Sequence, residues 1–392
     1  MINKGGGRMR NLELYIHIPF CIQKCAYCDF LSAKVGRKEQ DAYVEAMKRE
    51  LESYKEMASI YQVSSIFVGG GTPSILSYHK MQEIFNKVQE VFHLASCPEI
   101  TIEANPGTVT LDKLKGWKEL GINRISFGLQ SIHDEELKML GRIHTYQDFL
   151  QSYSMAREVG FNNINIDLIS AIPGQSVESW RETLKTVAQL EPEHISAYSL
   201  IIEEGTLFYE RYKDRRDPMG YLSLPDEDDE RKMYEETEVI LNQYGFQRYE
   251  ISNYAKLGRE CKHNLGYWER TEYLGIGLGA ASLIENTRYN ITRDFSFYLE
   301  NAGKSKEIFQ EKEVLSTQDQ MEEFMFLGLR KMNGVSKRQF AQQFQCPIEE
   351  QYGEVLEELE LENLISIKGD RIALTKRGID ISNYVFQKFL LS

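Results

Sequence analysis

The sequence predicts an α/β protein: a partial, open (β/α)6 barrel followed by a small C-terminal winged-helix-like α+β domain. Apolar, strand-like stretches alternate six times with amphipathic, helical stretches between residues 12 and 200. Repeated βα units imply a parallel sheet with helices on its outside. Six units are fewer than the eight of a closed barrel, so the barrel is expected to stay open; the pattern alone also fits a doubly wound sheet. From residue 316 the text changes to three helical stretches, a hairpin and a last helix.

In order, residues 1–11 read as a leader, with Met9 an alternative start. Leu12 to His17 is the first strand and 38–58 the first helix. Val63 to Val68 is a short apolar strand running into Gly69-Gly70-Gly71-Thr72-Pro73; Ser77 is placed to cap the helix that follows to Phe92. Strands are expected at Glu99 to Glu103, Arg124 to Gly128, Asn163 to Leu168 and His194 to Ser199, with helices over 110–120, 145–159 and 176–190 between them. The barrel is assigned to 12–230, with 203–229 a charged loop. Residues 231–315 are read as a segment capping it, and 316–392 as the separate small domain. There Lys368-Gly369-Asp370-Arg371 is the turn of a hairpin. In either parallel architecture the strand C-terminal ends open on one mouth, which places Gly70, Glu103, Gln130, Asp167 and Ser199 together.

The chain has 392 residues, 42% hydrophobic and 27% charged, with a formal net charge of −13. That is the balance of a globular protein, and its sign argues against a nucleic-acid surface. No apolar run approaches the length of a membrane span, and residues 1–10 lack the apolar core of a secretion signal. Of six cysteines, Cys97, Cys261 and Cys346 stand alone. A secreted disulfide framework would be denser, so a cytoplasmic protein with reduced thiols is expected.

Cys21, Cys25 and Cys28 follow the first strand at spacings of four and three. Zinc ligands typically come as two Cys-x-x-Cys pairs, and no matching pair is present. Iron–sulfur cubanes are held by cysteine thiolates, normally four; three leave one iron open to a ligand. At the strand ends, Gly70 and Gly71 suit either close approach to a ligand or a plain tight turn. Glu103 can accept from a diol, Gln130 can donate and accept, and the Arg142 fork suits a carboxylate. Each reads equally well as a solvated or capping residue. Gly275-Ile276-Gly277-Leu278-Gly279 lacks the context of a dinucleotide motif and reads as close-packed backbone.

The Cys-x-x-x-Cys-x-x-Cys run after a first strand resembles the radical S-adenosylmethionine superfamily. The text from Tyr15 to Cys21 and on through Phe30 is similar to its oxygen-independent coproporphyrinogen III oxidase branch. The resemblance implies a [4Fe–4S] cluster on Cys21, Cys25 and Cys28 whose open iron takes the amino and carboxylate groups of S-adenosylmethionine, for reductive release of a deoxyadenosyl radical. It assigns Tyr15, Gly70, Gly71, Thr72, Glu103, Gln130, Arg142 and Asp167 to the S-adenosylmethionine site.

Two features divide the branch. The decarboxylating oxidases carry a further cysteine where this chain has Phe30, and a longer N-terminal extension. Cys261-Lys262-His263-Asn264-Leu265-Gly266-Tyr267-Trp268 matches the His-Asn-x-x-Tyr-Trp motif of HemW-type haem chaperones. His can ligate haem iron, and Tyr and Trp offer flat faces to a macrocycle; without the resemblance, the tract reads as a polar loop whose aromatics pack on the barrel mouth. The resemblance thus implies haem as a third bound group, His263 as its ligand with Cys261 next in line, and acceptor haemoproteins and an electron donor as partners. A membrane-associated acceptor and a homodimer are compatible with it. The alternatives are radical decarboxylation of coproporphyrinogen III, and radical chemistry on an unrelated small substrate.

Overall fold

The computed structural model describes residues 9–214, 220–304 and 306–391. Most of the expected leader and part of the charged loop at 203–229 lie outside the described residues. The first strand begins earlier than expected, at Arg10, and takes the end of the assigned leader into the sheet.

All six expected strands form: β1 (Arg10–Ile18), β2 (Tyr61–Gly70), β3 (His93–Ala104), β4 (Arg124–Gln130), β5 (Ile164–Ser170) and β6 (His194–Ser199). They pair in parallel in sequence order. The order never reverses, which excludes the doubly wound alternative with its switch point. Helices Arg37–Ser53, Tyr78–Val91, Leu111–Glu119, Tyr146–Glu158 and Val177–Gln189 connect them. Their starts are chemically marked. Ser77 and Thr110 cap through their hydroxyls, and Thr145 and Ser176 form capping boxes. The helix Glu227–Gln243 lies on Val177–Gln189, where Trp180 donates its indole N–H to Met233 O and Thr237 Oγ1.

Much of the segment assigned to capping is sheet. β7 (Gln247–Glu250) and β8 (Asn253–Ala255) add antiparallel strands beyond β6. On the other side β9 (Tyr273–Ile276) pairs parallel with β1, and β10 (Ala281–Ile284), β11 (Thr287–Ile291) and β12 (Phe309–Val314) continue antiparallel. The result is a twelve-stranded sheet ending at β12 and β7, not closed on itself. The glycine repeat is close-packed as expected. A Cβ at Gly275 would stand 2.2 Å from Ala281 O, and Gly277 has φ +98° with its N–H on the buried Glu50 carboxylate at 2.9 Å. Burial pushes Glu50 up to about 7.

The C-terminal unit has its own core around Phe340, Tyr352, Leu356 and Phe389. Helices Thr317–Gly328, Lys337–Phe344 and Ile348–Leu361 accompany a small sheet of β13 (Val335–Ser336), β14 (Ile365–Lys368) and β15 (Arg371–Leu374). The expected last helix is broken at Ile381. This unit docks on the large sheet through Glu323, which takes Arg270 at 2.8 Å and Arg288 at 2.6 Å.

Candidate functional site

The three-cysteine loop leaves β1 at Ile18 and is held at several backbone points. Cys21 N–H donates to Ala33 O, Ala26 N–H to Leu140 O, and Ala26 O accepts from Phe208 N–H. Loops that position chemistry need such anchoring, because a free loop pays conformational entropy on each ligand. Cys21, Cys25 and Cys28 all line one cavity of about 450 Å³ at the strand C-terminal ends. Among the described residues no three His, Cys, Asp or Glu side chains converge on a single metal-ion position.

The strand-end residues meet at the same cavity: Gly70, Gly71, Thr72, Glu103, Gln130, Arg142, Asp167 and Ser199 all line it. Gly70 sits at φ +112°, and a Cβ there would lie 2.6 Å from the His17 ring. At Gly71 it would meet Phe20 O at 2.7 Å and Cys21 Sγ at 3.0 Å. The glycines therefore let β2 close against the cysteine loop. Gly70 N–H donates to Glu103 Oε2 at 3.1 Å. Burial, and then the nearby Asp167 carboxylate, push Glu103 up to about 8. Thr72 Oγ1 reaches Cys21 Sγ at 3.5 Å and accepts from Asn105 Nδ2 at 3.1 Å. Arg142 is a hub: it donates to Gly128 O at 2.6 Å, Asn105 Oδ1 at 2.8 Å and Cys25 Sγ at 3.5 Å. Gln130 has φ +75° beside a register shift in β4, a bulge of the kind that re-aims a side chain next to a site. Asp167 accepts from Asn165 at 2.7 Å and Ser126 at 3.0 Å, and Asn165 in turn meets His194 at 2.6 Å. Asn105 and Ser126 carry no signal of their own in the sequence; Asn105 directly follows the end of β3, where the strand-end rule reaches it, whereas Ser126 sits inside β4 and only its pairing with β5 brings it to Asp167.

Two expected residues lie elsewhere. Tyr15, on β1, lines a second cavity of about 600 Å³ and puts its hydroxyl 3.0 Å from His17 Nδ1. His263 lines neither cavity. The motif is a helix, Lys262–Trp268, and not a loop. It lays His263 on the sheet interior, 1% exposed, stacked on Phe67 at 5.3 Å. Nδ1 meets Ser65 Oγ at 2.8 Å and Nε2 meets Tyr267 OH at 3.1 Å. Both ring nitrogens of the expected haem ligand thus already have protein partners. Cys261 is buried too, with its Sγ 3.5 Å from Glu99 Oε1, and burial pushes its thiol up to about 12. Burial pulls His263 down to about 3 and pushes the neighbouring Glu13 up to about 9. Across their 3.8 Å approach burial thus disfavours the charged form of both groups, and Glu13 Oε2 has no hydrogen-bond partner among the described residues.

The motif's aromatics do face an opening. Tyr267 and Trp268 line the second cavity with Tyr273, Arg288 and Arg293. Asp29 and Phe30 line both cavities, so the cysteine loop forms part of each.

The residues around the first cavity fit a cluster with S-adenosylmethionine: three thiols, a glycine-tight strand end, a buried carboxyl able to meet a diol, and a guanidinium fork. The profile of the radical SAM superfamily matches residues 15–187, and that of the HemN C-terminal domain matches 315–381. The haem chaperone HemW of Lactococcus lactis is 39% identical over 96% of this chain and 97% of its own length. The HemW of Bacillus subtilis is 37% identical over 96% and 98%. Among solved structures, coproporphyrinogen III oxidase (HemN) from Escherichia coli superposes with a TM-score of 0.84, over 97% of this chain and 90% of that one, at 24% identity; that likeness establishes the fold. The chain belongs to the HemW family within the radical SAM superfamily, and membership brings a [4Fe–4S] cluster and S-adenosylmethionine.

Proposed function

We propose that this protein is a haem chaperone: it binds a [4Fe–4S] cluster, S-adenosylmethionine and haem, and delivers haem to acceptor haemoproteins. One observation carries the haem half, the near-full-length identity to proteins named haem chaperone HemW. Cys21, Cys25 and Cys28 hold the cluster; Gly70, Gly71, Thr72, Glu103, Gln130, Arg142 and Asp167 hold S-adenosylmethionine. When bound and reduced, the cluster supplies one-electron chemistry toward the sulfonium. The chain's own residues do the rest. Arg142 keeps Asn105, Gly128 and Cys25 in register, and Glu103 carries a proton near neutral pH and so can donate as well as accept at a ribose. A one-electron donor serves the cluster. The site of action is the cytoplasm, as a homodimer, with acceptors that include membrane-associated haemoproteins; among the described residues no helix is long and apolar enough to cross a membrane.

Phe30, 61% exposed, stands where the decarboxylating branch has its extra cysteine. Anaerobic reconstitution followed by paired assays tests the reading. Haem transfer to an apo-haemoprotein without vinyl product from coproporphyrinogen III is the expected result. Vinyl product at enzyme-like turnover would sink it in favour of the oxidase.

A further inference from the structure

At the motif, His263 has both ring nitrogens bonded to protein groups, so the question is where a macrocycle would sit. The second cavity differs from the first in kind. Its walls are aromatic: Phe30 from the cysteine loop, Tyr267 and Trp268 from the motif helix, and Tyr273 from β9. Tyr267 and Tyr273 meet edge to face at 4.7 Å and 88°, an arrangement that leaves ring faces for a third partner. The Trp268 indole N–H is buried without an acceptor among the described residues, and Arg330 covers one face of its ring at 4.5 Å, leaving the other for a ligand. Gly279, at φ +70°, keeps the floor low, since a Cβ would stand 2.6 Å from Leu31 Cδ2.

The cavity also carries guanidinium groups. Arg270 and Arg288 are tied to Glu323 of the C-terminal unit, and Leu327 of the same helix joins the wall. Arg293 lines the cavity and is exposed. Among the described residues it has no hydrogen bond or ion pair. An exposed arginine over an aromatic cavity suits a flat ligand bearing a carboxylate. The volume of about 600 Å³ lies in the usual range for small-molecule sites.

We infer that the second cavity seats haem as a planar dicarboxylate, with the macrocycle against Phe30, Trp268 and Tyr273 and the propionates on Arg293 and Arg288. This rests on the haem reading above and deepens it. The motif then acts through its aromatic pair, and His263 is a positioning residue that holds the Tyr267 hydroxyl. The shared residue Phe30 sets the macrocycle edge beside the cluster loop. The C-terminal unit forms one wall through Glu323 and Leu327, and Glu323 competes with a propionate for Arg288.

The test is a haem titration of the anaerobically reconstituted full chain, read by the Soret band, with iron content as the control for folding. Arg293→Glu, at an exposed position without partners, should weaken haem binding about tenfold or more, the loss of one charge-assisted contact, at unchanged iron content. Protoporphyrin IX should quench tryptophan fluorescence on binding, and its dimethyl ester should bind about as much more weakly. His263→Gln should leave the Soret position of bound haem where it is. Wild-type affinity in Arg293→Glu and Phe30→Glu alike would overturn the location while leaving the haem function standing, and a Soret shift in His263→Gln would place imidazole on the iron and also overturn it. A wild type that binds no haem would remove the function itself.

Discussion

The two cavities are built by opposite means. The first is made of strand ends and the loops directly after them, and its polar groups are interlocked before any ligand arrives. Arg142 holds three acceptors and Asp167 holds two donors. Such pre-organisation suits chemistry at one fixed place. The second is assembled from β1, β9, β10, β11 and β12, the motif helix and a helix of the C-terminal unit. It is aromatic and carries three arginines against the two carboxylates Asp29 and Glu311, with the Arg293 guanidinium unpaired among the described residues. That suits a ligand that must be held and also released, since little of its recognition is locked in advance. Under the proposals above, the difference separates a site for reaction from a site for carriage within one sheet.

Removal of a cysteine should produce the largest effect. Cys21→Ala, Cys25→Ala or Cys28→Ala should abolish the cluster absorbance after anaerobic reconstitution, while haem titration still succeeds. Loss of both together would merge the two cavities into one functional unit.

A smaller effect is expected at the motif helix. A Cβ at Gly266 would fall 2.1 Å from Glu13 Oε1, so Gly266→Ala overpacks a buried contact and should cost about 1–3 kcal/mol. Urea unfolding measures it. The damage should reach haem binding before cluster content, because the helix walls only the second cavity.

The most gradual effect is on pH dependence. Glu13 is raised to about 9 in the fold, against an ordinary carboxyl value near 4.5 when unfolded. The native state therefore keeps a proton that the unfolded chain loses, and this contribution is full below pH 4.5 and declines toward pH 9, by no more than about 1.4 kcal/mol per pH unit. Glu13→Gln keeps the neutral shape. It should gain on the wild type in urea midpoint from pH 5 to pH 8, and match it near pH 4. His263, lowered to about 3, works in the other window: its contribution is lost as pH falls from about 6.5 toward 3. A Gln variant that loses ground at pH 8 would show instead that Glu13 is charged and paired with His263.

Much of the first cavity was legible because its signals are local. A glycine pair after an apolar run, a carboxylate at a strand end and a thiol triplet each sit within a few residues of the backbone feature that gives them meaning. Gln130 shows the limit of that legibility. Its position was readable, but the bulge that turns it inward depends on pairing with β5. The second cavity was hardly legible. Tyr273, Arg288 and Arg293 carry no short-range pattern, and their strands are defined only by partners far along the chain.

By itself, then, the sequence determined the six βα units, the three thiols and the polar residues at the strand ends, because period, caps and strand ends are short-range matters; that the strands run in sequence order in an open sheet and not a doubly wound one came from strand pairing. Tertiary structure decided that β9 joins β1, that Tyr15 belongs to the second cavity, and that the motif histidine is a packed neutral group. Burial and hydrogen-bond partners are set by contacts across the sheet. Ser65 and Phe67 on β2 meet His263, and no spacing within the motif records that meeting.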